Sequence, residues 1–249
     1  MKESVRYIHE ETVHNFKAAR EVVPFLLEIL DVRSVVDVGC GIGTWLKVFE
    51  ENEVKDILGI DGNYVDKTLL KIDKSKFLEY NLEELYTTKK KFDLAISLEV
   101  AEHLSIDSAN VFVKTITNLS DTVVFSAAIP YQGGQNHINE QEPNYWIEKF
   151  ENEGFKLFDI LRPLFWDNTE VDSWYRQNML LFTKNRDLLA KLDSYESFGG
   201  KHLVHPVLSQ GKTGSVNYYK NQLERIEQGK KDIRFYWSLL LKALKRKVS

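Results

Sequence analysis

Residues 35–46 read Val-Val-Asp-Val-Gly-Cys-Gly-Ile-Gly-Thr-Trp-Leu. An apolar strand runs into three alternate glycines and then into the start of a helix, which commits this stretch to a strand–turn–helix unit. The glycines are Gly39, Gly41 and Gly43; without a Cβ they let a bound molecule come close to the backbone. Asp61 follows about twenty residues later, at the end of a second apolar run at 57–60. A carboxylate at that place can grip two ribose hydroxyls. Thr44 stands where the dinucleotide fingerprint would have its last glycine. A pyrophosphate cradle of the nicotinamide type is therefore disfavoured, and the pattern describes a pocket for an adenosine-containing cofactor.

From residue 34 onward, short apolar runs alternate with helical stretches. The pattern predicts strands at 35–38, 57–60, 77–80, 92–97, 122–126, 155–160 and 178–183, and helices at 44–51, 106–118 and 143–153. Residues 1–31 read as mostly helical, with Val22, Val23, Phe25, Leu26, Ile29 and Leu30 at helical spacing and Pro24 as an irregularity or a helix start. This alternation predicts an α/β fold: a doubly wound, seven-stranded, mostly parallel sheet with helices on both faces. Residues 162–177 are rich in aromatics and lack a helical period, so they are expected to fold over the carboxyl edge of the sheet.

The character changes after Thr183. Residues 198–200 are Phe-Gly-Gly, a Gly/Ser loop is expected around 210–215, and a long helical tail follows. Residues 233–248 mix Phe235, Trp237, Leu240, Leu241 and Leu244 with Lys242, Lys245, Arg246 and Lys247. Two domains are expected: 1–184, including the N-terminal helical segment, and a helical extension at 185–249. A basic, apolar tail can lie on a membrane surface, but it more often packs on its own domain or on a second subunit, so a homodimer is the preferred reading.

Composition removes several classes. At 249 residues, 43% hydrophobic and 28% charged, the chain is neither disordered nor membrane-embedded. A net charge of -4 gives no global field to attract nucleic acid. The single cysteine, Cys40, rules out an internal disulfide and a thiolate zinc cluster. No apolar signal core opens the chain, and no apolar run approaches the roughly 20 residues of a membrane span, so the cytoplasm is expected.

Three segments carry a resemblance: Asp37-Val-Gly-Cys-Gly-Ile-Gly43, Gly59-Ile-Asp61, and Phe92-Asp-Leu-Ala-Ile-Ser-Leu-Glu-Val-Ala-Glu-His-Leu104. In this order and spacing they resemble class I S-adenosylmethionine-dependent methyltransferases, over roughly residues 31–184. Phe125-Ser-Ala-Ala-Ile-Pro130, the Gly-Gly-Gln-Asn-His-Ile-Asn-Glu-Gln run at 133–141, Tyr145-Trp146 and Trp174-Tyr-Arg-Gln-Asn178 are similar to a bacterial subgroup associated with capsule or O-antigen sugars. The resemblance implies a Rossmann-like methyltransferase fold with S-adenosylmethionine as cofactor. It implies that Gly39, Cys40, Gly41 and Gly43 form the turn under the cofactor's methionine end and that Asp37 orients that turn. It places Asp61 on the ribose diol, Asn81 and Leu82 by the adenine, and Leu98 and Glu99 along the methionine side. Asn81 stands where this superfamily usually has an acid, and its amide oxygen can still accept from the exocyclic amine.

Methyl transfer from a sulfonium is an in-line displacement, and a sugar hydroxyl that attacks must lose its proton. Histidine is neutral near pH 7 and suits that task. His137, in a polar loop after the fifth predicted strand, is the preferred base, and His103, beside Glu102 after the fourth, is the reserve. Glu102, Asn136 and Glu140 are candidates to hold the base or the sugar. Tyr131 and Trp174, with Tyr145, Trp146, Trp166 and Tyr175, form either a stacking wall for a ring or ordinary packing under a lid. Arg176 meets either a phosphate of a nucleotide sugar or the nearby Asp172 or Glu170. His9, His14, His202 and His205 carry no spacing signal, and no His/Asp/Glu cluster shows metal-ligand spacing, so no metal is expected.

The leading functional reading is an O-methyltransferase of a sugar, nucleotide-linked or part of a capsule or lipopolysaccharide precursor, for instance a heptose. The alternatives are an N- or C-methyltransferase of another small metabolite, such as a lipid or quinone precursor, and a non-catalytic cofactor-binding protein. A nucleic-acid enzyme is disfavoured by the acidic charge and by the lack of an Asn-Pro-Pro-aromatic motif.

Overall fold

The computed structural model describes residues 15–248. The first part of the helical segment expected at 1–31, residues 1–14 with His9 and His14, lies outside the described residues. In chain order the elements are α1 (Lys17–Ile29), β1 (Ser34–Val38), α2 (Thr44–Glu51), β2 (Asp56–Asp61), β3 (Phe77–Glu79), β4 (Leu94–Leu98), α3 (Ala109–Leu119), β5 (Thr122–Ser126), α4 (Pro143–Asn152), β6 (Lys156–Phe158), α5 (Leu161–Phe165), α6 (Ser173–Asn178), β7 (Leu180–Thr183), α7 (Arg186–Leu192), α8 (Pro206–Glu227) and α9 (Ile233–Val248).

The strands form one seven-stranded sheet in the order β3-β2-β1-β4-β5-β7-β6. β1, β2, β3, β4 and β5 pair in parallel, and β7 runs antiparallel to both β5 and β6. The central strands β1, β4, β5 and β7 are buried along their whole length, as continuous apolar runs covered on both faces must be. Strand order reverses between β1 and β4, and this places the carboxyl ends of β1, β2 and β4 around one crevice, the usual ligand position in an open α/β sheet.

Two cores flank the sheet. On one side α1 and α2 bury Val22, Leu26, Leu46 and Phe49 with Leu181 and Phe165. On the other, α3 and α4 bury Phe112, Ile116, Trp146 and Phe150 with Phe125 and Phe182. The Phe150 ring stacks on Phe182 at 4.2 Å between centroids. Burying aromatic side chains of this size contributes about 1.5–3 kcal/mol each.

Residues 162–177 differ from their expected form, because they contain most of α5 and α6. Helices of five or six residues are too short to show a helical period in sequence, and tertiary contacts set them instead. Arg162, at the start of α5, is fully buried and paired through two nitrogens with Asp159. The same pair accepts from Gly200 N–H and donates to the Lys201 carbonyl, tying residues 200–201 onto the sheet unit. The stretch expected as a Gly/Ser loop at 210–215 lies inside α8. Its two glycines each lower helix stability by about 1 kcal/mol without stopping a helix of this length.

The chain divides into two compact units, up to His205 and from Pro206 onward. Within the second, α8 and α9 are joined by the Tyr236 hydroxyl, which donates to the Ile226 carbonyl at 2.7 Å. Trp237, Leu240, Leu241 and Leu244 of α9 remain exposed. Among the described residues no helix is long and apolar enough to cross a membrane.

Candidate active site

The turn after β1 is shaped by its glycines. Gly39, Gly41 and Gly43 all have positive φ, at 89°, 53° and 81°. A Cβ on Gly39 would lie 2.3 Å from Val100 Cγ2, in the segment after β4, so only glycine lets the two strand ends approach. Gly39 N–H donates to the Ile60 carbonyl at 2.7 Å, which carries the ladder one step past β1. Gly41 N–H donates to Asp61 Oδ2 at 2.6 Å, so the acid that ends β2 holds the glycine turn. Gly62 N–H and the Tyr64 hydroxyl donate to the other oxygen, at 2.6 and 2.5 Å. Burial raises the Asp61 pKa, and these three hydrogen bonds partly offset it. Burial and the charge of Asp61 also push the carboxyl of Asp37, on β1, well above the usual range. Cys40 is buried, and burial with the charges of Asp61 and Asp37 raises its thiol in the same way, which leaves it an unreactive filler of the turn.

A cavity of 510 Å³ opens past the end of β2, lined by Gly62, Tyr64, Tyr80, Asn81, Leu82 and Leu104 with Glu79 and Glu84 at its polar side. Leu82 is buried and offers apolar surface. The Asn81 amide is engaged within its own turn: it donates to Glu84 at 2.9 Å and accepts from Glu83 N–H at 3.2 Å. The backbone cradle, the carboxylate at the β2 end and the adjoining half-apolar cavity fit an adenosyl group.

Beyond Leu98, the buried last residue of β4, Glu99 takes a positive φ of 55°. Its N–H donates to both the carbonyl and the hydroxyl of Ser126 at 3.0 Å. Its carboxylate accepts from Asn178 Nδ2 at 3.0 Å and from Gln132 Nε2 at 2.9 Å. Gln177 joins this cage through Gln132 Oε1 and Asn178 Oδ1. Burial raises the Glu99 pKa against these donors. Reasoning from sequence had not singled out Gln132, Gln177 or Asn178 for the site. Side-chain amides have no spacing rule, so only their convergence in space identifies them.

The two candidate bases come from different loops, and the backbone brings them together. Ile138 and Asn139 N–H both donate to the Glu102 carbonyl, at 2.9 and 3.0 Å, which pins the loop after β5 onto the turn after β4. The rings of His103 and His137 meet edge to face, with centroids 4.9 Å apart. His137 Nδ1 lies 2.8 Å from Glu140 Oε1, and Gly133 N–H holds that same oxygen at 2.6 Å. With Nδ1–H donating to the carboxylate, Nε2 carries the free lone pair. That atom lies 4.0 Å from Glu102 Oε1. A Cβ on Gly134 would sit 2.2 Å from His137 Nε2, so this glycine makes room for the ring.

Burial, with His137 adding to it, pushes His103 down to about 4. Glu102 is 0% exposed, and burial and the charge of Glu99 raise its pKa well above normal. Burial would raise Glu140, but its hydrogen bonds from His137 and Gly133 outweigh that and lower it. Although no metal-ligand spacing is legible in the sequence, the folded chain brings ligating atoms of Glu102, His103 and His137 within 4.8 Å of one another.

The remaining candidates are placed as follows. Tyr131 is 87% exposed at a positive φ, and Asn136 is an exposed turn residue with φ of 61°. Trp174 is half-buried, with its ring edge to face with Tyr175 at 6.0 Å. Trp146 packs on Phe125, and Trp166 on Phe198 and His205, so both belong to the packing. His205 is buried, with its ring nitrogen 2.9 Å from the Trp166 carbonyl. Arg176 is 7% exposed and turned inward, where it donates to the Trp166 carbonyl at 3.2 Å. Glu170 pairs instead with Lys17, at 3.6 Å.

The profile of a family described as a methyltransferase domain matches residues 11–177. No curated protein matches the chain. Among solved structures, an S-adenosylmethionine-dependent methyltransferase from Clostridium acetobutylicum superposes with a TM-score of 0.51 at 11% identity, covering 68% of this chain and 92% of that one. Streptomyces venezuelae DesVI gives 0.50 at 11% identity, over 71% and 99%. The methyltransferase domain of bacterial CtHen1 gives 0.49 at 20% identity, over 68% and 100%. At such identities the first two establish a shared fold.

Proposed function

This chain belongs to the methyltransferase-domain family and is an enzyme of methyl transfer, and on that premise we propose that it methylates a hydroxyl of a sugar, nucleotide-linked or part of a capsule or lipopolysaccharide precursor. S-adenosylmethionine is the donor and supplies an electrophilic methyl on its sulfonium. Gly39, Gly41 and Gly43 cradle its methionine end, Asp61 takes the ribose hydroxyls in exchange for the Tyr64 hydroxyl, and Leu82 covers the adenine. Glu99, held by its amide cage, lies along the methionine side.

A single observation carries the choice of a hydroxyl acceptor: Glu140 holds His137 Nδ1 at 2.8 Å, which leaves Nε2, 4.0 Å from Glu102 Oε1, as the nitrogen that can accept a proton. An amine acceptor already nucleophilic at neutral pH would not need such a pair. His103 stands edge-on to it as the second imidazole.

The direct test is transfer of a radiolabelled methyl group from S-adenosylmethionine to a panel of free and nucleotide-linked sugars, with small amines and phenols as the opposing panel. Label on a sugar hydroxyl is the expected result, and label confined to the amines or the phenols would overturn the reading. The cofactor half is checked separately. Asp61→Asn removes one charge-assisted ribose contact of about 1.5 kcal/mol, so titration calorimetry should show S-adenosylmethionine bound roughly tenfold more weakly.

A further inference from the structure

We infer that Glu102, His103 and His137 form a binding site for a divalent metal ion, with Glu140 orienting one of its ligands. The inference rests on the reading above that the acceptor hydroxyl is activated at this cluster, and it changes how that is done.

The strongest indication is Glu102. It is 0% exposed, and among the described residues neither of its carboxylate oxygens has a partner at full hydrogen-bond geometry, only the Glu102 and Ala128 amides approaching it. A buried, unpaired carboxylate is costly in any fold, and a cation placed against it removes the cost. What faces it supplies the rest of a coordination sphere. His137 Nε2 is 4.0 Å away, and the three side chains can each bring one donor atom to within 4.8 Å of the others. Donors held about 2.1 Å from one ion lie roughly 3–4.2 Å apart, so a small inward rotation of the rings completes the site.

The neighbouring groups fit the same use. A metal-bound imidazole commonly donates its other N–H to a carboxylate, which sets its tautomer, and Glu140 does this for His137 Nδ1 at 2.8 Å. Two imidazoles and one carboxylate suit a borderline cation such as Mn²⁺, Fe²⁺ or Zn²⁺, and three protein ligands leave coordination positions open to the crevice. Adjacent hydroxyls of a sugar can fill two of those positions. Coordination lowers the pKa of a bound hydroxyl, and its proton then passes to water. With the ion present, the His137 Nε2 lone pair points at the metal and is no longer the proton acceptor.

The test reads metal alone. Protein stripped with EDTA and exchanged into metal-free buffer is titrated with Mn²⁺, followed by the loss of the free-ion electron paramagnetic resonance signal and by calorimetry. One saturable site is expected. Glu102→Gln and His103→Ala should each weaken it by at least about tenfold, with near-ultraviolet circular dichroism confirming that each variant is folded. Asp61→Asn, which alters only the cofactor cradle, should bind Mn²⁺ as wild type does. No saturable Mn²⁺ binding, or binding that folded Glu102→Gln and His103→Ala variants leave unchanged, overturns the site and returns proton removal to the His137 imidazole. Saturable Mn²⁺ binding that these substitutions abolish, in a protein that methylates no sugar, supports the site and removes the acceptor reading instead.

Discussion

Replacing His137 by alanine is expected to lower turnover by about 10²- to 10⁴-fold while leaving the affinity for S-adenosylmethionine at its wild-type value. The ring stands where loop and sheet converge, with Nδ1 committed to Glu140 and Nε2 toward Glu102. Alanine removes the only atom of that residue able to take the hydroxyl proton or to ligate an ion, whereas the cofactor cradle lies on other elements and keeps its geometry. The loop itself stays pinned, because Ile138 and Asn139 donate to the Glu102 carbonyl through their main chain. Glu140→Gln should have a smaller effect, about tenfold, since the amide still reaches His137 but holds it less firmly. Single-turnover kinetics paired with calorimetry separate the two quantities. A His137→Ala enzyme with normal cofactor affinity and full turnover would remove the residue from the mechanism.

The largest expected stability effect belongs to Gly39→Ala. Its φ of +89° is unfavourable for any residue with a Cβ, and the new methyl would lie 2.3 and 2.6 Å from the two γ-carbons of Val100. Backbone strain of about 1–2 kcal/mol adds to overpacking of about 1–3 kcal/mol, for a total of roughly 2–5 kcal/mol. For a chain of this size that lowers Tm by roughly 4–20 °C. Gly154 provides the internal comparison: its φ is +83°, but a Cβ there would meet nothing within 4 Å. Gly154→Ala should therefore carry only the backbone part, about 1–2 kcal/mol. Equal melting temperatures for the two variants would show that the contact between the β1 turn and Val100 is looser than described. Gly39→Ala should also weaken cofactor binding, because the turn must move away from Val100 to admit the methyl.

Much of the fold is legible in the order of residues. Parallel strands buried on both faces must be apolar along their length, so Val35, Val36 and Val38 of β1 and Val123, Val124 and Phe125 of β5 announce themselves as runs. The cofactor cradle was legible for a different reason. Gly39, Gly41, Gly43 and Asp61 sit within one strand–helix–strand unit, where local geometry alone joins Gly41 N–H to Asp61. The α5 and α6 helices were not legible, since five or six residues show no period and their positions depend on partners such as the buried Asp159–Arg162 pair. The glycines at 211 and 214 suggested a loop, yet the helix-forming residues around them hold α8 together.

The chain's own pattern determined the sheet, its winding and the glycine–aspartate turn, because each follows from residue character at short separation. Tertiary structure alone decided that Glu102, His103 and His137 bring their ligating atoms within 4.8 Å of one another, that Gln132, Gln177 and Asn178 enclose Glu99, and that Arg176 turns inward to the Trp166 carbonyl. These groups come from loops and from α6, in segments far apart in sequence, and their meeting depends on how strand ends stack and how main-chain amides such as those of Ile138 and Asn139 stitch one loop to another. Hydrogen bonds of that kind involve backbone atoms that every residue has, so they leave no mark in the order of side chains.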